Sequence, residues 1–302
     1  MFRRVTSVWG AFLVAGLLAI SAGEARAWGF EVHRFVTARA IDLLPAALRP
    51  FFEKHRAFVT EHAIDPDLWR NVGFSEEPPR HFLDLDAYGQ PPFAALPRDY
   101  NAAVAAFGEA TVRKNGTVPW RADELFGLLV KAFEQVRDGT SPWALDNVKL
   151  YAAVLAHYVA DAHVPFHAVV NYDGQLTNQH GLHARFETEL VLRYRDSLSL
   201  SPKPMPPVAN VRDFVFDALA SSFDATGPLF EADRRAIGSG LEYDDAYFDR
   251  FMSRARPVLE ARLERSMSAV AATIAGAWEK AGRPPVPLDP PRVVRKKRTP
   301  SR

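Results

Sequence analysis

The stretch LAHYVADAHVPFH, residues 155–167, decides the fold because it combines a helical apolar pattern with polar groups on one face. His157 and Asp161 are four residues apart, so a helix places both side chains on the same side. Leu150 and Val154 extend that side toward the N-terminus, which predicts that the pair is buried. A buried carboxylate without a partner is costly or shifts its pKa, so we expect a cationic partner there.

The same geometry returns in the stretch GLHARFETELVLRY, residues 181–194. His183 and Glu187 are again four residues apart, and apolar residues continue their stripe. One such pair is more often a hydrogen bond in the core or a salt bridge at the surface. Two pairs, together with His167 six residues after Asp161, favour a metal site instead.

The ligand chemistry predicts which metal binds. All nine histidines lie between residues 33 and 183, and the chain contains no cysteine. Imidazoles and carboxylates without thiolates favour zinc or a similar first-row ion, whereas calcium and magnesium prefer shells made only of oxygen. Zinc is therefore the expected cofactor.

Apolar residues recur at helical spacing along nearly the whole chain, and no stretch alternates convincingly as a β-strand would. We therefore predict an all-α fold, a single multi-helix domain with no internal repeat. Proline, glycine and asparagine clusters predict loops at 65–97, 164–180 and 199–208, and Pro257 is expected to begin or kink a helix. The predicted helices are 31–44, 99–113, 122–137, 142–162, 181–195, 209–222, 243–255 and 257–281.

The N-terminus has the features of a secretory signal. Arg3 and Arg4 precede an apolar run at 5–22, and the triplet Ala25-Arg26-Ala27 stands where signal peptidase cuts. The alternative is an uncleaved membrane anchor, since the run approaches the roughly 20 residues of a spanning helix. The cleavage triplet favours removal of residues 1–27. The mature protein is then expected to begin at Trp28, to be secreted or periplasmic, and to fold without disulfides.

The formal net charge of +1 conceals an uneven distribution. The signal segment is +2 and residues 283–302 are +6, which leaves −7 for the body, residues 28–282. An acidic body argues against broad capture of polynucleotide phosphates. The proline-rich basic tail at 283–302 is predicted to be disordered. Its basic cluster at 295–298 has two interpretations, contact with anionic lipid or nucleic acid and simple solvation, and solvation is favoured.

Several motifs together resemble one family, the bacterial zinc-dependent phospholipases C, with which the single-strand-specific zinc nucleases share a fold. The motifs follow one another over residues 28–187, and the C-terminal helix fits more loosely. They are Trp28 with His33 five residues on, RAIDLL at 39–44, HFLDLD at 81–86, HYVADAHVPFH at 157–167 and GLHARFE at 181–187. The resemblance implies an all-helical domain with three zinc ions in a cleft between helices.

The resemblance also implies a set of ligands for each zinc ion. The first ion would be bound by Asp67, His81, His157 and Asp161. The second would be bound by His167, His183 and Glu187. The third would be bound by His33, by Asp161 as a bridge, and by the terminal nitrogen and the carbonyl oxygen of Trp28.

The assignments of Trp28 and Asp67 each depend on one further observation. Only a free terminal amine, with a pKa near 7.7–8.0, can lose its proton and bind metal, so cleavage before Trp28 would create a ligand. Asp65 competes with Asp67, but the family spacing of about fourteen residues before the HF motif favours Asp67. The histidines outside the implied set are interpreted as partners of ligands or as surface residues; they are His55, His62, His163 and His180.

The function that the resemblance implies is hydrolysis of a phosphodiester by an activated water, with Asp67 orienting or deprotonating that water. Glu187 and the absence of cysteine favour a phospholipase C, acting on phospholipid and in peripheral contact with membranes. The alternative is a nuclease or 3'-nucleotidase acting on single-stranded nucleic acid. A third interpretation is an exported protein that zinc stabilises without catalysis. The sequence indicates no obligate protein partner.

Overall fold

The chain folds into helices joined by turns and loops. A computed structural model describes residues 29–238 and 242–289, and within those ranges there is no β-strand. This confirms the predicted all-α fold class. The helices are α1 (Phe30–Asp42), α2 (Arg49–Lys54), α3 (Arg56–Glu61), α4 (Asp65–Asn71), α5 (Tyr100–Phe107), α6 (Glu109–Lys114), α7 (Val118–Asp138), α8 (Ala144–Asp161), α9 (Leu182–Ala184), α10 (Leu190–Tyr194), α11 (Val211–Asp224), α12 (Thr226–Ile237) and α13 (Asp245–Lys280).

Two helices form the centre of the domain. Every residue of α8 from 152 to 161 is buried, and so is every residue of α13 from 266 to 278. A helix that is buried on all sides needs small residues or apolar ones around its whole circumference, and both segments are rich in alanine. α7 packs against α8 and α13, and α1 packs against α13 and α3. The C-terminal end of α8 therefore lies deep inside the helical assembly.

The extended segment at 199–208 lies directly against α13. The Val208 amide donates a hydrogen bond to the Ala272 carbonyl over 3.0 Å. This contact requires Gly276, because a Cβ there would lie 1.9 Å from the Val208 carbonyl oxygen. The segment thus stays close to the helix axis and covers the apolar surface of α13.

Several predicted element boundaries are wrong. The predicted loop at 65–97 contains α4, and α2, α3 and α12 were not expected from the sequence pattern. The two helices predicted at 243–255 and 257–281 form one helix, α13, with Pro257 inside it. Burial of Phe251 and Leu259 on either side of the proline outweighs the roughly 3 kcal/mol that proline costs in a helix. Packing against neighbouring elements decides these boundaries, and the sequence pattern alone does not show it.

The part of the predicted tail that the structure describes stays in contact with the body. The Trp278 indole donates to the Pro284 carbonyl over 2.8 Å, and Lys54 pairs with Asp289 at 2.6 Å. Residues 290–302 lie outside the described residues, as do 1–28, which include the predicted signal segment and Trp28. Among the described helices, none combines the length and the apolarity needed to cross a bilayer.

Candidate metal centre

Asp161 lies at the C-terminal end of α8, and several histidine side chains lie close to its carboxylate. Its Oδ2 is 3.0 Å from His81 Nδ1 and 3.3 Å from His157 Nε2. Its Oδ1 is 3.4 Å from His33 Nε2, on the other side of the carboxylate. The two oxygens therefore face different groups of ligands, which is the arrangement that a bridging carboxylate needs.

Helix α1 supplies His33 to this cluster. The His33 ring stacks on that of His157, with ring centroids 3.8 Å apart. Gly29 precedes α1 and is buried, and a Cβ there would lie 2.9 Å from Thr188 Oγ1. The start of α1 is therefore held beside the segment that carries Glu187.

Helix α4 and the loop after it supply a second group. Asp67 lies in the first turn of α4, fully buried, and its Oδ1 is 3.9 Å from His81 Nδ1. Asp65 instead pairs with His62, with 2.8 Å between Oδ2 and Nδ1. Of the two aspartates that the sequence left in competition, Asp67 is the one beside the histidines.

A third group forms around Glu187. Glu187 Oε2 is 3.0 Å from His183 Nε2 and 3.9 Å from His167 Nε2. The predicted single helix at 181–195 is interrupted here by a π turn at Arg185–Glu189, between α9 and α10. Such turns are often found at functional sites, because the extra residue re-aims neighbouring side chains. The expected contact between His183 and Glu187 is kept despite the interruption.

The eight described candidates thus fall into three sets, and the ligand atoms of each set lie within 4.8 Å of one another. Two of the sets share His157 and the third shares no residue with them, whereas the family resemblance implied Asp161 as the shared residue. Trp28 lies outside the described residues, so its assignment stays a prediction. The sets are His33, His157 and Asp161; Asp67, His81 and His157; and His167, His183 and Glu187.

Backbone carbonyls orient two of the histidine rings. His157 Nδ1 donates to the Ala63 carbonyl over 2.8 Å, and His167 Nδ1 donates to the His81 carbonyl over 2.6 Å. Because a carbonyl can only accept, these bonds put the ring proton on Nδ1 and leave Nε2 with a lone pair. Nε2 of His157 faces Asp161 and Nε2 of His167 faces Glu187, while His167 Nδ1 also lies 3.9 Å from Asp161 Oδ1.

Glu77 is a functional candidate that sequence reasoning missed. It is buried, and it accepts hydrogen bonds from the Tyr158 hydroxyl and from Arg80. Its Oε1 lies 3.7 Å from His81 Nε2, so it faces the nitrogen of His81 that points away from Asp161. A carboxylate behind a ligating imidazole fixes the ring and increases its basicity. The spacing of four residues between Glu77 and His81 was the available signal.

The protonation states of most of these groups fit a metal site; the exception is His157, where burial lowers the pKa but the facing Asp161 carboxylate outweighs burial and raises it. Burial lowers the pKa of His167 to about 3 and that of His183 to about 4, so both imidazoles are neutral at neutral pH. Burial opposes ionisation of Asp161, but facing histidines, His157 first, hold its pKa well below the ordinary value. Burial, with His157 acting in the same direction, lowers the pKa of His33. Neutral imidazoles and ionised carboxylates are the forms that bind metal.

Buried polar atoms without hydrogen bonds also favour metal binding at this cluster. Neither ring nitrogen of His33 or of His183 is in hydrogen-bond geometry with another described group, although all four atoms are buried. His81 Nδ1 and His157 Nε2 face each other at 3.1 Å. Buried polar atoms without hydrogen bonds are rare and call for an explanation. Divalent ions bound among these groups would satisfy them, so the residues present fit the expected zinc.

A cavity of about 810 Å³ opens onto the cluster. The ligands His81, His167 and His183 form part of its wall. Arg70 and Lys114 contribute positive charge, and Asp84, Asn115 and Gln175 contribute polar groups. The rest of the wall is apolar, with Pro78, Phe82, Ala87, Phe166, Val170 and Tyr172. The arrangement can therefore hold an anion beside the metal groups together with an apolar portion of the same molecule.

The remaining histidines lie apart from the three sets. His163 is buried and donates to the Val159 carbonyl over 2.8 Å, while His180 is exposed. His62 pairs with Asp65, and His55 contacts the Leu288 carbonyl.

The chain was compared with protein families, with curated proteins and with solved structures. No family model matches the chain, and no curated protein matches it. Among solved structures, the chain is similar to an alpha toxin from Clostridium absonum, with a TM-score of 0.43 and 14% sequence identity. The similarity covers 85% of this chain and 64% of the toxin chain.

Proposed function

We propose that the protein is an exported zinc-dependent phosphodiester hydrolase of the phospholipase C type. The observation that carries the proposal is the buried convergence of five histidines and three carboxylates, of which His81, His167 and His183 line one cavity. A structural zinc site is closed by its protein ligands, whereas these groups border a space that can admit a substrate. Three sets within one cluster suit the charge of a phosphodiester better than a single site would.

Bound zinc would neutralise the phosphate, acidify water beside it and stabilise the oxygen that leaves. The chain's own residues supply position and charge. Asp67 is the residue to which we assign the orientation or deprotonation of the attacking water. Its Oδ1 lies 3.2 Å from Arg70 Nη2, and Arg70 also lines the cavity. This pairing places a guanidinium beside Asp67, where it can hold a phosphate oxygen.

We also propose that the mature N-terminus completes the site. Gly29 is buried against Thr188, next to Glu187, and the Gly29 carbonyl accepts from the amides of Val32 and His33. The backbone that leads into α1 therefore lies beside the segment that carries Glu187. A terminal amine at Trp28, made by removal of 1–27, would then be available to bind. Mass analysis of the exported form should find Trp28 at its start.

Phospholipid is the favoured substrate class for two reasons. The cavity wall is largely apolar and suits the neighbourhood of an acyl glycerol. The body carries a net charge of −7, which opposes the approach of a polynucleotide. The competing function, cleavage of single-stranded nucleic acid, uses the same ligands and has to be excluded by experiment.

The test uses purified mature protein with and without a chelator. It is incubated with phosphatidylcholine and, separately, with single-stranded DNA and RNA. Release of diacylglycerol that the chelator abolishes and added zinc restores is the expected result. Release of mononucleotides would assign the protein to the nucleases instead. If neither product forms in a zinc-loaded sample, zinc has a structural role and the proposed activity is wrong.

A further inference from the structure

Exposed apolar side chains are concentrated in two short segments of the surface. Of the nine large apolar residues exposed among the described residues, five lie at 68–74 and 172–176. Val72 is 74% exposed, Phe74 62% and Leu176 70%. Leu68 and Tyr172 belong to the same two segments. Scattered exposed apolar residues are ordinary, but a concentration of this kind marks a binding surface.

Both segments border the cavity at the metal centre. Arg70 and Pro78 line the cavity, and the chain between them carries Val72 and Phe74. Tyr172 and Gln175 line it on the other segment, and Leu176 follows directly. We call the five residues Leu68, Val72, Phe74, Tyr172 and Leu176 the apolar rim.

Each segment of the apolar rim is tied to the metal centre through the chain. Leu68 follows Asp67 in α4, and the segment with Tyr172 begins five residues after His167. The apolar rim is thus continuous with the proposed catalytic cleft.

The backbone holds these side chains in solvent. The Phe74 amide donates to the Trp69 carbonyl over 3.1 Å, and the Glu77 amide donates to the Phe74 carbonyl over 2.9 Å. On the other segment, the Leu176 amide donates to Asn171 Oδ1 over 2.7 Å. Because these turns are hydrogen-bonded, the apolar side chains cannot fold inward without breaking bonds.

Two acidic groups near the apolar rim have polar partners. Glu76 forms an ion pair with Arg113 at 2.7 Å. The Asp173 carboxylate accepts from the Gly181 amide over 2.9 Å. An apolar surface on a body of net charge −7 suits a zwitterionic lipid surface and does not suit a polyanion.

We propose that the apolar rim docks the protein onto zwitterionic phospholipid membranes and holds the cavity mouth against the lipid surface. This inference rests on the proposed function for its substrate, but the docking step itself needs no turnover. Insertion of the rim side chains between head groups removes apolar area from water, and the cavity mouth then faces the phosphodiesters.

The binding test uses zinc-loaded protein and phosphatidylcholine vesicles, with co-sedimentation as the readout. The double variant Phe74→Ser, Leu176→Ser is expected to bind at least about tenfold more weakly than wild type, since two large side chains no longer insert. Trp143→Ser is the matched control. Trp143 is 67% exposed and stands at the N-terminal end of α8, at the opposite end from Asp161. The control should bind as wild type does, and thermal melting should show all three proteins folded.

Activity separates docking from catalysis. On a short-chain phosphatidylcholine below its micelle concentration, the double variant should match wild type. On long-chain vesicles its rate should fall in proportion to binding. Equal vesicle binding by wild type and the double variant overturns the proposal. So does a loss of oligonucleotide binding without a loss of vesicle binding, which would make the rim a surface for nucleic acid.

The two proposals fail differently. Rim-dependent vesicle binding without hydrolysis of any phosphodiester would support docking and reject the proposed activity. Hydrolysis of the soluble substrate, with rim variants unaffected on vesicles, would support the activity and reject docking.

Discussion

Two buried polar clusters lie on either side of the π turn at Arg185–Glu189, and they differ in how their charges are satisfied. Around Asp233, Gln179 Nε2 donates to Oδ2 over 2.7 Å and Arg185 Nη2 donates to Oδ1 over 3.0 Å. The Tyr247 hydroxyl donates to the same carboxylate and accepts from Arg185 Nε. The Asp233 carboxylate is therefore satisfied on both oxygens by protein groups.

The groups around Asp161 are only partly satisfied by the protein. His81 Nδ1 is in hydrogen-bond geometry with Asp161 Oδ2 and with His157 Nε2, but the buried His33 ring is in hydrogen-bond geometry with no described group. Arg185 and Glu187 stand two residues apart on the same turn, yet Arg185 pairs with Asp233 and Glu187 lies among the candidate metal ligands. The two regions therefore differ in that protein groups balance the Asp233 carboxylate, whereas a bound cation would complete the candidate metal centre.

Asp161→Asn, in the candidate metal centre, should have the largest effect on zinc content and on hydrolysis. The substitution removes the charge that faces His33, His81 and His157, so zinc should be released. We expect phosphodiester hydrolysis to fall by at least about a thousandfold, because metal charge stabilisation is worth several kcal/mol. Kinetics and elemental analysis measure both effects. A variant with full activity and full zinc content would refute the bridging role.

Asp233→Asn should separate stability from metal binding. It leaves the buried Arg185 guanidinium without its carboxylate, which costs about 3 kcal/mol in the free energy of unfolding. Urea titration measures that loss, and elemental analysis should find the zinc content unchanged. Loss of zinc with unchanged stability would show that the two clusters are not independent.

Glu77→Gln should weaken zinc binding without emptying the site. The His81 ring would keep a neighbour at Nε2 but lose the negative charge that increases its basicity. We expect zinc affinity to fall by about tenfold, measured by competition with a chromophoric chelator. Glu76→Gln is the matched control, since Glu76 is exposed and pairs with Arg113. Equal affinities in the two variants would rule out a positioning role for Glu77.

His163→Gln should produce the smallest effect at neutral pH, because its contribution to stability changes only in acid. Burial, aided by Arg262, lowers the pKa of His163 to about 3, so the unfolded chain takes up a proton at higher pH than the folded protein does. This difference in pKa stabilises the folded protein relative to the unfolded chain. The stabilisation is fully present above pH 6.5 and is lost as the pH falls toward 3. The unfolding free energy of wild type should therefore drop more steeply than that of the variant, by up to about 1.4 kcal/mol per pH unit.

The measurement for His163 is chemical unfolding between pH 4 and 7, taken as the difference between wild type and variant. Groups common to both proteins cancel in that difference. His180→Gln, at an exposed position, should follow the wild-type slope. Parallel curves for wild type and His163→Gln would contradict the expectation.

The sequence was informative where chemistry repeats at helical spacing. His157 was predicted to face Asp161, and His183 to face Glu187. The distance from the histidine Nε2 to the nearer carboxylate oxygen is 3.3 Å in the first pair and 3.0 Å in the second. Glu77 went unnoticed because nothing in its local pattern shows that Tyr158, 81 residues away, supplies its partner. The short helices α2, α3 and α4 were missed for a related reason, since their stability comes from packing and not from a long periodic pattern.

By itself, the sequence determined the helical class and the kinds of ligand, because period and side-chain chemistry are local properties of the chain. Only the tertiary structure decided that Asp67 and not Asp65 joins the histidines, and that His157 belongs to two sets. It also decided that two segments far apart in the chain, each with exposed apolar residues, both border one cavity. These outcomes depend on where distant segments meet, and that is set by the packing of α1, α4 and α8, which no local pattern encodes.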